Sequence, residues 1–191
     1  MRAIPAQPLP LEITIQTGKT LVRQGEPCAG VVVVVSGALM ETCVSEQGRR
    51  LVHRVLGPGD PAGWADWNAA SPVTVRAVRL SRLRPASQDE LPSLLAAREA
   101  ASVELASDLA WLDVVTRLER RLDDLACRFG RSAPGGTLVD LRLTHEDLAA
   151  LTGSSRESAS RAVRTLERAG RLSTIRRSRY LVRSSLEIVR A

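Results

Sequence analysis

Arg156, Glu157, Arg161 and Arg164 lie within nine residues of one another, after the pair Ser154-Ser155. At about 100° per residue they share one side of a helix with Ser160, while Ala159, Ala162, Val163 and Leu166 take the other. The chemistry open to such a face is recognition of a polar, anionic surface. Arg presents paired N–H donors that match the O6 and N7 acceptors of guanine, and Glu accepts from the N4 amine of cytosine. Each good contact of this kind discriminates by roughly 1–3 kcal/mol. Taken alone, the same face reads equally well as an ordinary solvated surface.

The preceding residues say how such a helix would be held. Thr144 with Asp147 three positions on is a capping-box signature, and Leu148, Ala149 and Leu151 give that helix an apolar side. Gly153 is the natural break. Ser154 with Glu157 repeats the capping signature and is expected to open the second helix. Helix, glycine turn, helix is the helix-turn-helix pattern, whose second helix enters the DNA major groove.

The run Ser155-Arg156-Glu157-Ser158-x-x-Arg161 resembles the S-R-E-T-x-x-R recognition helix of the CRP/FNR family, bacterial regulators related to the cyclic AMP receptor protein. The resemblance implies that Arg156, Glu157 and Arg161 read a TGTGA-like half-site. It also implies that Ser155 and Thr144 touch phosphate. Ser160 and Arg164, on the same face, are expected at phosphates too.

Composition agrees with a nucleic-acid partner. Of 191 residues 44% are hydrophobic and 25% charged, and no apolar run approaches the ~20 residues of a membrane span. The opening MRAIPAQPLPLEITI lacks the apolar stretch of a signal peptide, so a cytoplasmic protein with no membrane partner is expected. Net charge is +6, and all of the excess lies in residues 131–191, with 12 Arg against 6 acidic residues. Residues 1–130 balance 15 basic against 15 acidic side chains. That asymmetry is the electrostatic footprint of a domain that meets phosphates and releases counterions. Cys28, Cys43 and Cys127 are too scattered for a disulfide framework or a zinc site and read as small, mostly buried thiols. With His53 and His145 the only histidines, no metal and no cofactor are expected. The sequence carries no nucleophile–base pair, carboxylate dyad or phosphate-cradling loop, so an enzyme is not expected.

Residues 1–17 are Pro-rich. From Gly18 to about Leu83, glycines at 18, 25, 37, 48, 59 and 63 separate short apolar runs, the pattern of a sandwich or barrel. Val31–Val35 is an unbroken β-branched run, expected to be covered on both faces. Gln47-Gly48 marks a hairpin tip between Ala38–Val44 and Arg49–Val55, and Val73–Leu83 holds the return strands. Four pieces of this segment resemble the cyclic-nucleotide-binding β-roll of the same family. They are Gly18-x-x-Leu21-x-x-Gln24-Gly25-Glu26, Val35-Ser36-Gly37, Gly59-Asp60-x-x-Gly63 and Val75-Arg76-Ala77.

The departures matter as much. Nucleotide-binding members carry Gly-Glu-Leu after the Gly-Asp turn, but here Trp64 and Ala65 follow Gly63. Where they carry a phosphate-binding Arg-Ser/Thr-Ala, this chain has Ser71, Pro72 and Val73. A cyclic phosphate needs a cation and convergent donors. Ser-Pro offers no guanidinium and lacks one N–H. Cyclic AMP is therefore not expected to bind in the usual way, and Trp64, Trp67, Ser71 and Pro72 mark a vestigial effector pocket. The tryptophans either fill it or line it for a flatter ligand. The clustered N-terminal cysteines of the family's iron–sulfur branch are absent, and two scattered His do not supply its haem ligands.

From Asp89 onward Leu105, Leu109, Leu112, Val115, Leu118, Leu122, Leu125 and Phe129 keep a 3.5–3.6 periodicity, and Pro92 suits a first helical turn. The resemblance implies dimerisation through a long helix, with Leu105, Leu109 and Leu112 as its seam. It also places a hinge at Asp108–Val114, where Asp113 caps the next helix. Gly130–Gly136 reads as a loop and Thr137–Leu143 as a strand. Leu172–Ile175 and Tyr180–Val182 flank Arg176, Arg177 and Arg179, a wing whose arginines would meet phosphates.

The expected protein is α+β: a β-roll (1–89), a dimerisation helix and hinge (90–112) and a winged helix-turn-helix (113–191). It is expected to be a homodimeric transcription regulator that binds double-stranded promoter DNA and contacts RNA polymerase, as an activator independent of cyclic AMP. One alternative is a regulator switched by a ligand at Trp64/Trp67 or by Cys oxidation. Another, of a different class, is a protein-binding signalling module that does not touch DNA.

Overall fold

Each short apolar run between the early glycines forms a strand in the computed structural model, which describes residues 11–28, 30–63, 70–175 and 178–183. The chain divides into two units, residues 1–105 and 106–191. The first holds β1 (Ile13–Ile15), β2 (Thr20–Val22), β3 (Val31–Ser36), β4 (Leu39–Val44), β5 (Arg50–Leu56), β6 (Pro61–Gly63), β7 (Thr74–Ala77) and β8 (Ser81–Pro85). They pair antiparallel into two four-stranded sheets, β1-β8-β3-β6 and β2-β7-β4-β5. One apolar core draws on both sheets, with Val32, Val34 and Leu83 from the first and Leu39, Leu56 and Val75 from the second. The hairpin at Gln47-Gly48 joins β4 to β5 as expected.

The valine run departs from its expectation at one residue. Val31 to Val34 are buried, but Val35 is 44% exposed. The register of β3 on β8 shifts between Val34 and Ser36, and Val35 is the extra residue, turned outward by the bulge.

Helix α1 (Leu91–Trp111) crosses the division between the units. Asp113 then caps α2 (Val114–Phe129), accepting from the Thr116 N–H at 2.8 Å. The segment read as a Gly-rich loop is instead a hairpin. In it β9 (Gly130–Ala133) pairs with β10 (Gly136–Val139) around Gly135 and Gly136, at φ 83° and 146°. A side chain on Gly136 would sit 2.4 Å from the Val182 carbonyl, so glycine here serves the close approach of the neighbouring strand. The strand expected over Thr137–Leu143 is correspondingly shorter, ending at Val139. Helices α3 (His145–Thr152) and α4 (Arg156–Arg168) follow, then β11 (Leu172–Ile175) and β12 (Arg179–Val182). The second unit's sheet runs β11-β12-β10-β9. No described helix is long and apolar enough to cross a membrane.

Candidate nucleic-acid interface

The second unit is built to hold α4 rigidly with one face outward. Leu118, Leu122, Leu125 and Phe129 of α2 are buried, as are Leu148 and Leu151 of α3, and both helices pack on α4. Full burial of such side chains contributes about 1.5–3 kcal/mol each. From α4 come Ala159, Ala162, Val163 and Leu166, at most 4% exposed. Two small alanines let the helix axes approach, and that closeness fixes the angle at which the opposite face is presented.

The turn between α3 and α4 follows from local chemistry. Thr144 and Asp147 form the expected capping box: the Asp147 N–H donates to Thr144 Oγ1 at 3.1 Å, and the Thr144 N–H to Asp147 Oδ2 at 2.9 Å. Gly153 ends α3 in the left-handed region, φ 58°. The cap of α4 is Ser155, whose side chain accepts from the Ser158 N–H at 3.2 Å. This corrects the expected Ser154–Glu157 cap by one residue. Ser154 turns back instead, its hydroxyl 2.8 Å from that of Thr152. Glu157 is released from capping and stands in the first turn of α4, where the helix dipole favours a carboxylate.

Arg156, Glu157, Arg161 and Arg164 are all exposed. Arg156, Glu157 and Arg164 make no side-chain hydrogen bond or ion pair with any described residue. Arg161 donates to Ser158 Oγ at 2.9 Å. The side chains named for phosphate contact divide. Ser155 is exposed and caps the helix. Ser160 is half-buried, its Oγ 2.7 Å from His145 Nδ1. Thr144 is exposed, and its hydroxyl donates to Asp147 at 2.8 Å. Arg179 begins β12, its Nη2 3.7 Å from Asp140 Oδ1. Arg176 and Arg177 lie outside the described residues. The backbone around them makes a wing, with Ile175 opposite Arg179 and Leu172 opposite Val182.

Tyr180 anchors that wing. It is fully buried, and burial pushes its hydroxyl up to about 12, with Glu167 and Asp147 adding to the shift. Its oxygen has no hydrogen-bond partner among the described residues.

Within one chain the three leucines of the expected seam differ in exposure. Leu105 is only 5% exposed, and Leu109 and Leu112 are half-buried. Arg98, Leu105 and Asp108 form the buried stripe of α1, while Leu95, Val103 and Trp111 are its large exposed apolar side chains. The periodicity is present, but the chain's own packing covers part of it. The thiols are likewise less uniform than expected: Cys28 is buried, Cys43 intermediate and Cys127 exposed.

At the expected effector pocket, Trp64 and Trp67 lie outside the described residues. Ser71 is buried, with its hydroxyl donating to the Val73 carbonyl at 2.6 Å, and Pro72 is exposed. Sequence reading missed a charged cluster nearby in sequence. Glu41, on β4 and fully buried, accepts from Arg54 Nε at 2.9 Å and lies 3.4 Å from His53 Nδ1 and 3.5 Å from Arg98 Nη2. Arg98 also donates to the Gly63 carbonyl, and Ser102 Oγ lies 3.3 Å from His53 Nε2. Strands β4, β5 and β6 are thereby tied to α1. Among the described residues no group of three or more His, Cys, Asp and Glu is arranged to hold a metal ion.

Two domain families match this chain. Residues 12–98 match the cyclic nucleotide-binding domain, and residues 116–187 the Crp-like helix-turn-helix domain. A CRP-like cAMP-activated global transcriptional regulator from Mycobacterium tuberculosis is 30% identical over 162 residues, covering 76% of this chain and 72% of the relative. The chain belongs to the CRP/FNR family of transcription regulators. Solved CRP/FNR structures agree. The c-di-GMP responsive global regulator CLP of Xanthomonas campestris superposes with a TM-score of 0.73 at 27% identity, over 91% of this chain and 94% of that one. A CRP/FNR regulator from Thermus thermophilus superposes at 0.78 with 20% identity, over 94% and 96%, and so shares the fold. The CRP/FNR relatives are transcription regulators and not enzymes, and the unit built around α4 is the family's DNA-binding domain.

Proposed function

We propose that this CRP/FNR protein is a homodimer that reads a TGTGA-like pseudo-palindrome through Arg156, Glu157 and Arg161 and activates transcription without cyclic AMP. The observation that carries the reading is the outward face of α4. Its guanidiniums and carboxylate are exposed, and its opposite face is locked into the core. Arg164, Arg179, Arg176 and Arg177 supply sequence-independent affinity at phosphates, and RNA polymerase is the partner at the promoter. Two recognition helices, one per chain, match two half-sites one duplex turn apart. The exposed Leu95, Val103 and Trp111 leave apolar surface on α1 for a partner chain to cover.

Independence from cyclic AMP rests on chemistry. The Ser71 hydroxyl is engaged within its own turn, and Pro72 has no N–H. The cavity beside Gly63, about 130 Å³, is lined by Ile13, Leu21, Val22, Pro27, Cys28 and Val32, and its charged lining residue is the carboxylate Glu26. That lining offers a cyclic phosphate no cation, and the Glu26 carboxylate is itself paired with Arg23 at 3.5 Å. The same cavity supports a second reading, a regulator switched by a small apolar molecule.

Fluorescence anisotropy on a TGTGA-bearing duplex and a scrambled one, with and without cyclic AMP, tests the reading. Tight binding to the first alone, unchanged by the nucleotide, is expected. Equal binding to both refutes base reading. A large gain with cyclic AMP refutes independence. A monomer in sedimentation at micromolar concentration refutes the dimer.

A further inference from the structure

The whole chain contains two imidazoles, His53 and His145. His145 opens α3, and its Nδ1 lies 2.7 Å from the hydroxyl of Ser160 on α4. Both side chains are half-buried, and this is the one hydrogen bond that either makes to a described residue. One proton lies between the two atoms, and the charge and tautomer of the ring decide which atom owns it. In the neutral ring with its proton on Nε2, Nδ1 is a lone pair. Ser160 must then donate into it and has no proton left for another acceptor. In the imidazolium, Nδ1–H donates and Ser160 accepts, so the hydroxyl proton is free to point elsewhere. The ring then also carries a positive charge and a second N–H. The neutral Nδ1–H tautomer frees the hydroxyl but leaves Nε2 without a proton.

We propose that His145 and Ser160 form a proton-linked phosphate clamp at the edge of the recognition surface. Uptake of one solvent proton by His145 adds a cation and, starting from the Nε2–H ring, frees the Ser160 hydroxyl to donate, so affinity for DNA rises as pH falls. The inference rests on the DNA-reading proposal above. Around the pair, α4 contributes Arg156, Glu157, Arg161 and Arg164, and α3 contributes Glu146 and Asp147. Asp147 is held by Thr144, and Arg161 by Ser158. The charges of α2, the other helix packed on α3, are engaged elsewhere. Arg117 bonds the end of α1, Arg120 and Arg121 meet Asp108, Glu119 meets Arg171 beside Asp123, and Asp124 meets Arg128. Glu146 and Glu157 bring negative charge to these two helices, and Arg156, Arg161 and Arg164 bring positive charge. A bound DNA phosphate adds one more negative charge beside the ring. Because binding takes up a proton, the gain is complete at low pH and disappears as pH rises.

The test uses the full chain and the TGTGA-bearing duplex at constant ionic strength, from about pH 8 to about pH 6, the range in which imidazoles change charge. Wild-type Kd should tighten by about three- to tenfold across it. His145→Asn, whose amide can hold Ser160 without titrating, should bind with a flat profile, and His53→Asn should keep the full dependence. Ser160→Ala should keep only part of it. A flat wild-type profile overturns the clamp, as does a dependence that survives in His145→Asn or is untouched by Ser160→Ala. If His145→Asn loses its cooperative melt, His145→Gln takes its place. Absence of specific binding at every pH sinks the DNA reading instead, which separates the two failures.

Discussion

Ser158 holds Arg161: across one turn of α4, Arg161 Nη2 donates to the Ser158 hydroxyl at 2.9 Å. Ser158 in turn receives the Ser155 hydroxyl at 3.2 Å. Arg161 is therefore held on the exposed face by a bond within α4 itself. Arg161→Ala is expected to cost about 1–3 kcal/mol on the specific duplex and much less on a scrambled one. Ser158→Ala, which removes only the positioning bond, is expected to cost about 0.5–1.5 kcal/mol, again on the specific site. Anisotropy titrations on both duplexes measure the two, and equal losses on both would remove Arg161 from the base-reading set.

The buried carboxylate of Glu41 is a stability element. Burial pushes its carboxyl up, but hydrogen bonds to His53 and Arg54 and the charges of Arg54 and Arg98 pull it further down, to a net value below the usual carboxylate range. Arg98 is itself pushed down to about 10 by burial, with Glu41 opposing the shift. Glu41→Gln leaves the guanidiniums buried without their anion and is expected to destabilise the first unit by about 3 kcal/mol. Because the folded carboxyl is depressed, its contribution is fully present above the unfolded value, about 4.3, and is lost as pH falls through the lower folded value. Melting temperature against pH should therefore fall on the acid side for wild type and more shallowly for Glu41→Gln.

Tyr180 gives the opposite sign. Its hydroxyl is buried with no partner among the described residues. Tyr180→Phe keeps the packing and removes a desolvated donor, so it should be neutral or stabilise by about 1 kcal/mol. Urea unfolding followed by tryptophan fluorescence measures it. A loss above about 1 kcal/mol would mean that the phenol has a partner.

At Gly153, φ 58° is a conformation that side chains with a Cβ adopt at a cost. Gly153→Ala should lower stability by about 1 kcal/mol. It should also weaken specific DNA binding, because the turn sets the angle of α4 on α3. Chemical denaturation and anisotropy on the same variant report the two effects separately.

Much of the site was legible because it is local. Thr144 and Asp147 cap their own helix, Gly153 ends it, and the 3.6-residue period sorts Ala159, Ala162, Val163 and Leu166 from Arg156, Glu157, Arg161 and Arg164 without reference to the rest of the chain. Local rules also failed locally: two serines stand before α4, and spacing to Glu157 favoured Ser154, whereas the hydroxyl that meets a helical N–H belongs to Ser155. The Gly130–Gly136 segment was misread because glycine marks both a loop and a tight hairpin. Which one forms depends on whether a strand from elsewhere, here β12, comes close enough to need the missing Cβ.

The sequence by itself determined the order of the elements, the family and which face of α4 is exposed, since short-range periodicity, caps and motif spacing carry that information. Only the tertiary structure decided which leucines of α1 are buried, and that Val35 turns outward at a bulge. Only it brings Glu41 to Arg98 across 57 positions of chain, and His145 to Ser160 between two helices. Burial and pairing at such separations depend on which surfaces the fold presses together, and no local pattern encodes that.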